Sequence, residues 1–250
     1  MLHYFLEELS IASNPFLFSE KNPYLYGVKR KIVTTADGSK TIQIEDWQEQ
    51  YHSMHGAVQE AYHVFIKNGL SLYEHRSLSI LEIGFGTGLN AFITFLEAPK
   101  RGIHVTYCGV EAYPVSLEEA LAMEYVTTLK ADQFSDEFKK MHAFEWETAF
   151  SLNDQFELTK RQQKFQEISD TNTFDLIYFD AFGFRVQPDL WSEIIFKKMF
   201  KALNPGGVLV TYAAKGSVRR AMLSVGFSVE RLEGPPGKRE MLRATKPFGT

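Results

Sequence analysis

Leu81-Glu82-Ile83-Gly84-Phe85-Gly86-Thr87-Gly88-Leu89-Asn90 is the stretch whose reading decides the fold. It follows the apolar run Ser79-Ile80-Leu81-Glu82-Ile83 and opens a helical pattern over about Leu89 to Leu96. Three alternating glycines let the backbone turn sharply and bring main-chain N–H groups against a ligand. The dinucleotide fingerprint needs glycine at its first, third and sixth positions, and the sixth here is Leu89, which disfavours a nicotinamide enzyme. Outward from the loop the pattern alternates: a strand at His104–Val110, a helix around Leu117 to Thr128, the strand-like Phe156-Glu157-Leu158-Thr159-Lys160, and the apolar run Thr173 to Phe182. A helix from about Asp189 to Leu203 follows, stopped by Asn204-Pro205-Gly206-Gly207. The tail then reads strand, helix, strand, strand. These runs predict an α/β fold with a doubly wound parallel sheet, closed at one edge by an antiparallel hairpin around Gly234-Pro235-Pro236-Gly237.

On the other side of the loop, Pro15, Asn22-Pro23 and Gly27 interrupt any early element. Two β-prone runs then flank Ala36-Asp37-Gly38-Ser39, the signature of a hairpin turn. Ala57, Val58, Ala61, Val64 and Phe65 share helical spacing before the stop at Asn68-Gly69. We therefore expect an N-terminal extension with a β-hairpin over 1–55 and the main domain over 56–250.

The chain has 250 residues, 44% of them hydrophobic, which suits one globular α/β unit. A single cysteine, Cys108, excludes an internal disulfide and a thiolate zinc cluster. The acidic start and the lack of a long apolar run predict a cytoplasmic protein without a membrane partner. Net charge is −4, unevenly placed: residues 201–250 carry nine Lys/Arg against three Glu, net +6, and the first 200 residues carry −10. A basic C-terminal face on an acidic body follows.

The acidic-x-Gly-x-Gly-x-Gly loop resembles that of class I S-adenosylmethionine-dependent methyltransferases. The resemblance implies a Rossmann-like fold, with Glu82 toward the cationic end of the cofactor's amino-acid part and Gly84, Phe85, Gly86, Thr87, Gly88 and Asn90 around it. Glu111 ends the second strand 23 residues after Gly88, where a carboxylate can accept hydrogen bonds from ribose hydroxyls. The family commonly has an acidic residue beside the adenine. Arg161-Gln162-Gln163-Lys164 stands there in this chain, so an amide, Gln162 or Gln163, takes that place, with Gln162 as the candidate.

A more specific resemblance rests on Asp180-Ala181-Phe182-Gly183-Phe184, Gln187-Pro188-Asp189-Leu190-Trp191, Asn204-Pro205-Gly206-Gly207, Ala213 to Arg220, and Gly237-Lys238-Arg239-Glu240-Met241. Together these are similar to the methyltransferase half of the bifunctional tRNA 5-methylaminomethyl-2-thiouridine biosynthesis proteins. Tyr51-His52-Ser53-Met54-His55-Gly56 resembles its stand-alone relatives. The resemblance implies S-adenosyl-L-methionine as cofactor, with no FAD and no metal, and methylation of the exocyclic amine of 5-aminomethyl-(2-thio)uridine at the tRNA wobble position. Asp180, at a strand end where such sheets bind ligands, is the candidate catalytic residue that anchors the amine and takes its proton. Phe182 and Phe184 are candidates for stacking the base, and His52 and His55 for lining its pocket. Arg219, Arg220, Lys238 and Arg239 are candidates for phosphate contacts along the anticodon arm. Methylation of a small-molecule or protein amine, or a non-catalytic cofactor-binding role, are the competing readings.

Overall fold

A computed structural model describes residues 29–249. The interruptions read at Pro15, Asn22-Pro23 and Gly27, and the chain's acidic start, lie outside the described residues. The described residues begin with a small antiparallel sheet of β1 (Arg30–Thr34), β2 (Lys40–Ile44) and the two-residue β3 (Glu49–Gln50). The expected Asp37-Gly38 turn joins β1 to β2, with Gly38 at φ +84° and Asp37 accepting from the Ser39 N–H. Asp37 also accepts the Gln59 N–H, and the Ser39 hydroxyl takes the N–H groups of Ala57 and Val58, so the hairpin caps the helix that follows. That helix is α1 (Ala57–Ala61), which widens into a π-helical turn over Tyr62–Lys67. Ala57, Ala61, Val64 and Phe65 are buried, as their spacing predicts.

The main sheet starts with β4 (Ser77–Ile83), followed by α2 (Leu89–Glu97) and β5 (His104–Val110). The helix expected around Leu117 to Thr128 is two pieces, α3 (Leu117–Leu121) and α4 (Tyr125–Thr128). Glu124 takes the left-handed conformation between them, at φ +54°. Ser116 and Glu119 form a capping box at the first piece. Sequence periodicity gave no signal for α5 (Ser135–Ala143) or for β6 (Ala149–Asn153), which adds an antiparallel edge to β7 (Phe156–Arg161). Next comes β8 (Phe174–Phe179). The helix expected from Asp189 begins later: Pro188–Trp191 form a 3-10 turn, Ser192 is extended, and α6 covers Glu193–Ala202. Asn204-Pro205-Gly206-Gly207 lies in β9 (Leu203–Thr211), with Gly206 at φ +80°. Then α7 (Gly216–Ser224), β10 (Ser228–Glu233) and β11 (Glu240–Thr245) complete the chain.

The eight strands run in the order β10-β11-β9-β8-β4-β5-β7-β6, with β4 pairing in parallel with both β5 and β8. The doubly wound sheet and its terminal antiparallel hairpin are thus present. Alternation along each strand feeds two cores: Leu78, Ile80, Tyr107, Tyr178 and Val210 on one face, Leu81, Ile83, Cys108, Phe179 and Leu209 on the other. Ile42 of the small sheet joins the first core. Cys108 is 4% exposed at the middle of the sheet, and burial pushes its thiol up to about 12. Among the described residues no helix is long and apolar enough to cross a membrane.

Candidate active site

At the C-terminal ends of β4, β5 and β8 the sheet opens into a cavity of about 870 Å³, in the size range of small-molecule sites. Gly84, at φ +89°, begins its floor. A Cβ at that position would lie 2.6 Å from the Asp180 carbonyl oxygen, so the glycine lets the loop pass against the end of β8. Gly86 follows at φ +50° and donates its N–H to Glu111 Oε2 at 3.1 Å. Glu111 Oε1 takes the Tyr113 N–H at 2.9 Å, which leaves further lone pairs of both oxygens on the cavity wall. Burial raises the Glu111 carboxyl above its ordinary value.

Asn90, 3% exposed, joins the loop to the β8 corner. Its Nδ2 donates to Glu82 Oε1 at 2.9 Å and to Asp180 Oδ2 at 2.8 Å, so both amide hydrogens are spent on carboxylates. This fixes the amide's orientation, since the flipped form would set its oxygen between two carboxylates. Asn90 Oδ1 is buried without a hydrogen-bond partner, on a residue that lines the cavity. Glu82 stands behind it, fully buried, its second oxygen accepting from Tyr107 Oη at 2.9 Å. Burial holds the Glu82 carboxyl well above its usual value. Asp180 is pushed up to about 7, first by burial and then by the like charge of Glu60, while the Asn90 hydrogen bond and Lys238 pull the other way.

The small N-terminal sheet roofs this space. Trp47 and Tyr51 meet the Phe182 ring edge-on, with centroids 5.7 and 5.0 Å away. Arg185 holds roof and floor loop together, donating to the carbonyls of Trp47 and Gln48 and to Glu49 Oε2. His52 lines the cavity with its ring against Thr41 Oγ1, and burial lowers it to about 4, which keeps it neutral.

Residues 123–247 match a family model described as S-adenosyl-L-methionine-dependent methyltransferase. The chain belongs to that family. Among its relatives, the tRNA 5-methylaminomethyl-2-thiouridine biosynthesis bifunctional protein MnmC of Burkholderia multivorans is 30% identical over 210 residues, 77% of this chain and 31% of the relative. MnmC of Actinobacillus pleuropneumoniae serotype 5b is 29% identical over 228 residues, 81% of this chain and 33% of the relative. The chain thus spans about a third of the length of these curated relatives. The crystal structure of MnmC2 from Aquifex aeolicus matches with a TM-score of 0.65 and 21% identity over 89% of this chain and 73% of that one. Spermidine synthase from Thermotoga maritima matches with a TM-score of 0.50 and 13% identity over 88% of this chain and 69% of that one. These structural matches show a shared fold.

The methyltransferase cavity collects Gly84, Phe85, Gly86, Thr87, Asn90, Glu111, Asp180, Phe182 and His52 from the expected site residues. Others lie elsewhere. Glu82 is set behind Asn90 because strand alternation aims it at Tyr107 in the core. Gly88 sits beneath the loop against the His142 ring. Gln162 is exposed and away from the cavity, its N–H tied to Glu147, and the wall there is Lys164, Phe165 and Gln166. Phe184 also misses the cavity. The chain turns at Gly183, whose carbonyl takes the N–H groups of Val186 and Gln187, and Phe184 packs on the second core beneath the Lys215 ammonium at 3.5 Å. His55 is exposed and lies against Gly237. Lys238 pairs with Glu60 and covers the Tyr212 ring, so its charge is spent internally. Arg219, Arg220 and Arg239 form no ion pair among the described residues, and Arg220 and Arg239 are exposed. Trp47, Tyr51, Arg185 and Phe165 were not anticipated. Phe165 alone had a local cue, as the aromatic residue just beyond the polar run after β7.

The site suits S-adenosylmethionine on two observations. A buried acceptor, Asn90 Oδ1, stands unpartnered in the wall, and the Gly84 and Gly86 backbone forms a cradle without Cβ atoms. Among the described residues no cluster of three His, Cys, Asp or Glu side chains is arranged to hold a metal ion.

Proposed function

We propose that this methyltransferase methylates the exocyclic amine of 5-aminomethyl-(2-thio)uridine at the tRNA wobble position. The observation that supports the reading most is Asp180 itself: a carboxyl near neutrality, held by Asn90, at the rim of a cavity that also presents the Phe182, Trp47 and Tyr51 rings. S-adenosylmethionine, when bound, supplies an electrophilic methyl group on a sulfonium. Gly84, Gly86 and Asn90 would hold its amino-acid end, and the free lone pairs of Glu111 its ribose hydroxyls. The adenine would lie along Phe165 and Gln166.

An alkylamine is mostly protonated at neutral pH and has no lone pair to offer. Asp180 pairs with the ammonium, accepts a proton from it, and leaves the neutral amine aimed into the cavity. A titration near 7 suits that duty, because the carboxylate and its acid are both populated at working pH. The aromatic rings flank the place where an unstacked base would lie. Arg219, Arg220 and Arg239 would meet phosphates of the anticodon arm. The curated relatives' names point to the same tRNA modification.

Mass spectrometry of wobble nucleosides tests this directly, using tRNA bearing the 5-aminomethyl group, purified protein and S-adenosylmethionine. A gain of one methyl, lost in Asp180→Asn, is expected. Cofactor binding by calorimetry without any gain would refute the tRNA acceptor and favour a small-molecule or protein amine.

A further inference from the structure

Outside the cavity lining, an ion pair that packing alone does not call for acts on Asp180. Glu60 of α1 is 8% exposed. One of its oxygens takes the Ser53 N–H at 2.9 Å, and the other pairs with the Lys238 ammonium. Lys238 comes from the turn between β10 and β11, which is closed by the Lys238 N–H on the Pro235 carbonyl and the Gly234 N–H on the Arg239 carbonyl. Its ammonium also stands 3.8 Å over the Tyr212 ring, and Tyr212 Oη donates to the Ala181 carbonyl at 2.8 Å. A partly buried pair of this kind loses hydration, most of it at Glu60, and apolar residues of like volume would fill the same space without that cost. What apolar residues would not supply is charge beside the carboxyl that meets the acceptor.

We infer that Glu60 and Lys238 are positioning residues for Asp180. They brace its corner through Tyr212 and Ala181, and they balance the electric field in which its carboxyl works. The inference rests on Asp180 as the acceptor-handling group and adds how that group is tuned. The charged and titratable groups acting on Asp180 are Glu60 of α1, Glu82 of β4, Tyr107 of β5, Tyr125 of α4, Tyr212 just after β9 and Lys238, besides the neutral Asn90 of α2. Burial raises the Glu82 carboxyl and the three tyrosine hydroxyls above their ordinary values. Glu60 and Lys238 are paired with each other and act on the Asp180 carboxyl with opposite sign. Removing one should therefore move the Asp180 titration in one direction, and removing the other should move it back.

The test is a pH titration of the Asp180 carboxyl by ¹³C NMR in aspartate-labelled full-length protein, with the signal assigned by its loss in Asp180→Asn. Wild type is compared with Lys238→Met, Glu60→Gln, the double variant and Lys238→Arg, and the pH profile of methyl transfer to aminomethyl tRNA is recorded in parallel. Lys238→Met leaves Glu60 uncompensated, so the midpoint should rise by on the order of one pH unit, with about tenfold less ionised Asp180 on the acid side. Glu60→Gln should lower it, the double variant should return toward wild type, and Lys238→Arg should hold the wild-type value. Midpoints that stay fixed, or that move the same way in both single variants, would overturn the inference, since loosened packing has no reason to reverse sign. Opposed NMR shifts in a protein that transfers no methyl group to tRNA would uphold this tuning and refute the tRNA reading.

Discussion

Replacing Asp180 with Asn should change how folding stability depends on pH. The amide can still accept from Asn90 Nδ2, so the main difference is the loss of a titrating group. In the folded protein the carboxyl is raised from 3.8 to about 7. A raised carboxyl stabilises the fold fully below its unfolded value, and the contribution is lost as pH climbs through the folded value. Between pH 5 and pH 8 the linkage relation gives about 2.7 kcal/mol for a shift from 3.8 to about 7. Because the carboxyl opens on the cavity, water returns part of this, and about 2 kcal/mol is the expected loss. Urea unfolding followed by tryptophan fluorescence at half-unit pH steps reads it out. Wild type should fall relative to Asp180→Asn across pH 5 to 8, while Glu111, present in both proteins, cancels in the difference. Parallel stability curves for the two proteins would refute the buried, proton-holding Asp180 on which the proposed chemistry depends.

Gly84→Ala should cost about 2–4 kcal/mol in thermal or urea unfolding, from left-handed backbone strain plus a Cβ pressed on the Asp180 carbonyl. Gly86→Ala, whose Cβ would meet the movable Tyr51 ring at 3.2 Å, should cost only about 1 kcal/mol, and equal losses would contradict this account of the loop. Glu111→Gln should weaken S-adenosylmethionine binding by about tenfold in calorimetry, through loss of a charged acceptor for the ribose. Reversing charge at Arg219 and Arg220 together should weaken tRNA binding and reduce its salt slope by about 1–2, with cofactor affinity unchanged. Unaltered tRNA affinity would remove α7 from the nucleic-acid face.

Local chemistry made much of the fold legible. The runs at β4, β5 and β8 are apolar because those strands are covered on both faces, and the turns at Asp37-Gly38 and Gly234 to Gly237 carry their conformational needs in their residues. The break between α3 and α4 was hidden, because Glu124 is an ordinary helix former in a left-handed conformation imposed by its surroundings. Within the site, residues at the strand ends and in the glycine loop were readable since the sheet's geometry fixes where they go. Pairings across the chain were not. Glu60 and Lys238 lie 178 positions apart, and the Trp47 and Tyr51 roof folds back from a segment outside the strand–helix alternation. Glu82 shows the subtler failure: an acid at the end of a central strand suggests a ligand contact, yet alternation turned it inward and gave the cavity face to Asn90.

Cys108 gives the molecule a built-in clock. The single sulfhydryl sits between β4 and β7 in the middle of the sheet, and its ionisation is suppressed to about 12, so a thiol reagent finds almost nothing to attack in the native protein. Modification has to wait for the sheet to part, and its rate therefore counts openings of the whole strand layer. A ligand that binds only the closed protein slows that count in proportion to the unliganded fraction that remains, by about a hundredfold at a concentration 100 times its dissociation constant. Affinity for any candidate cofactor or acceptor can thus be timed on the unlabelled wild-type chain, with no turnover required.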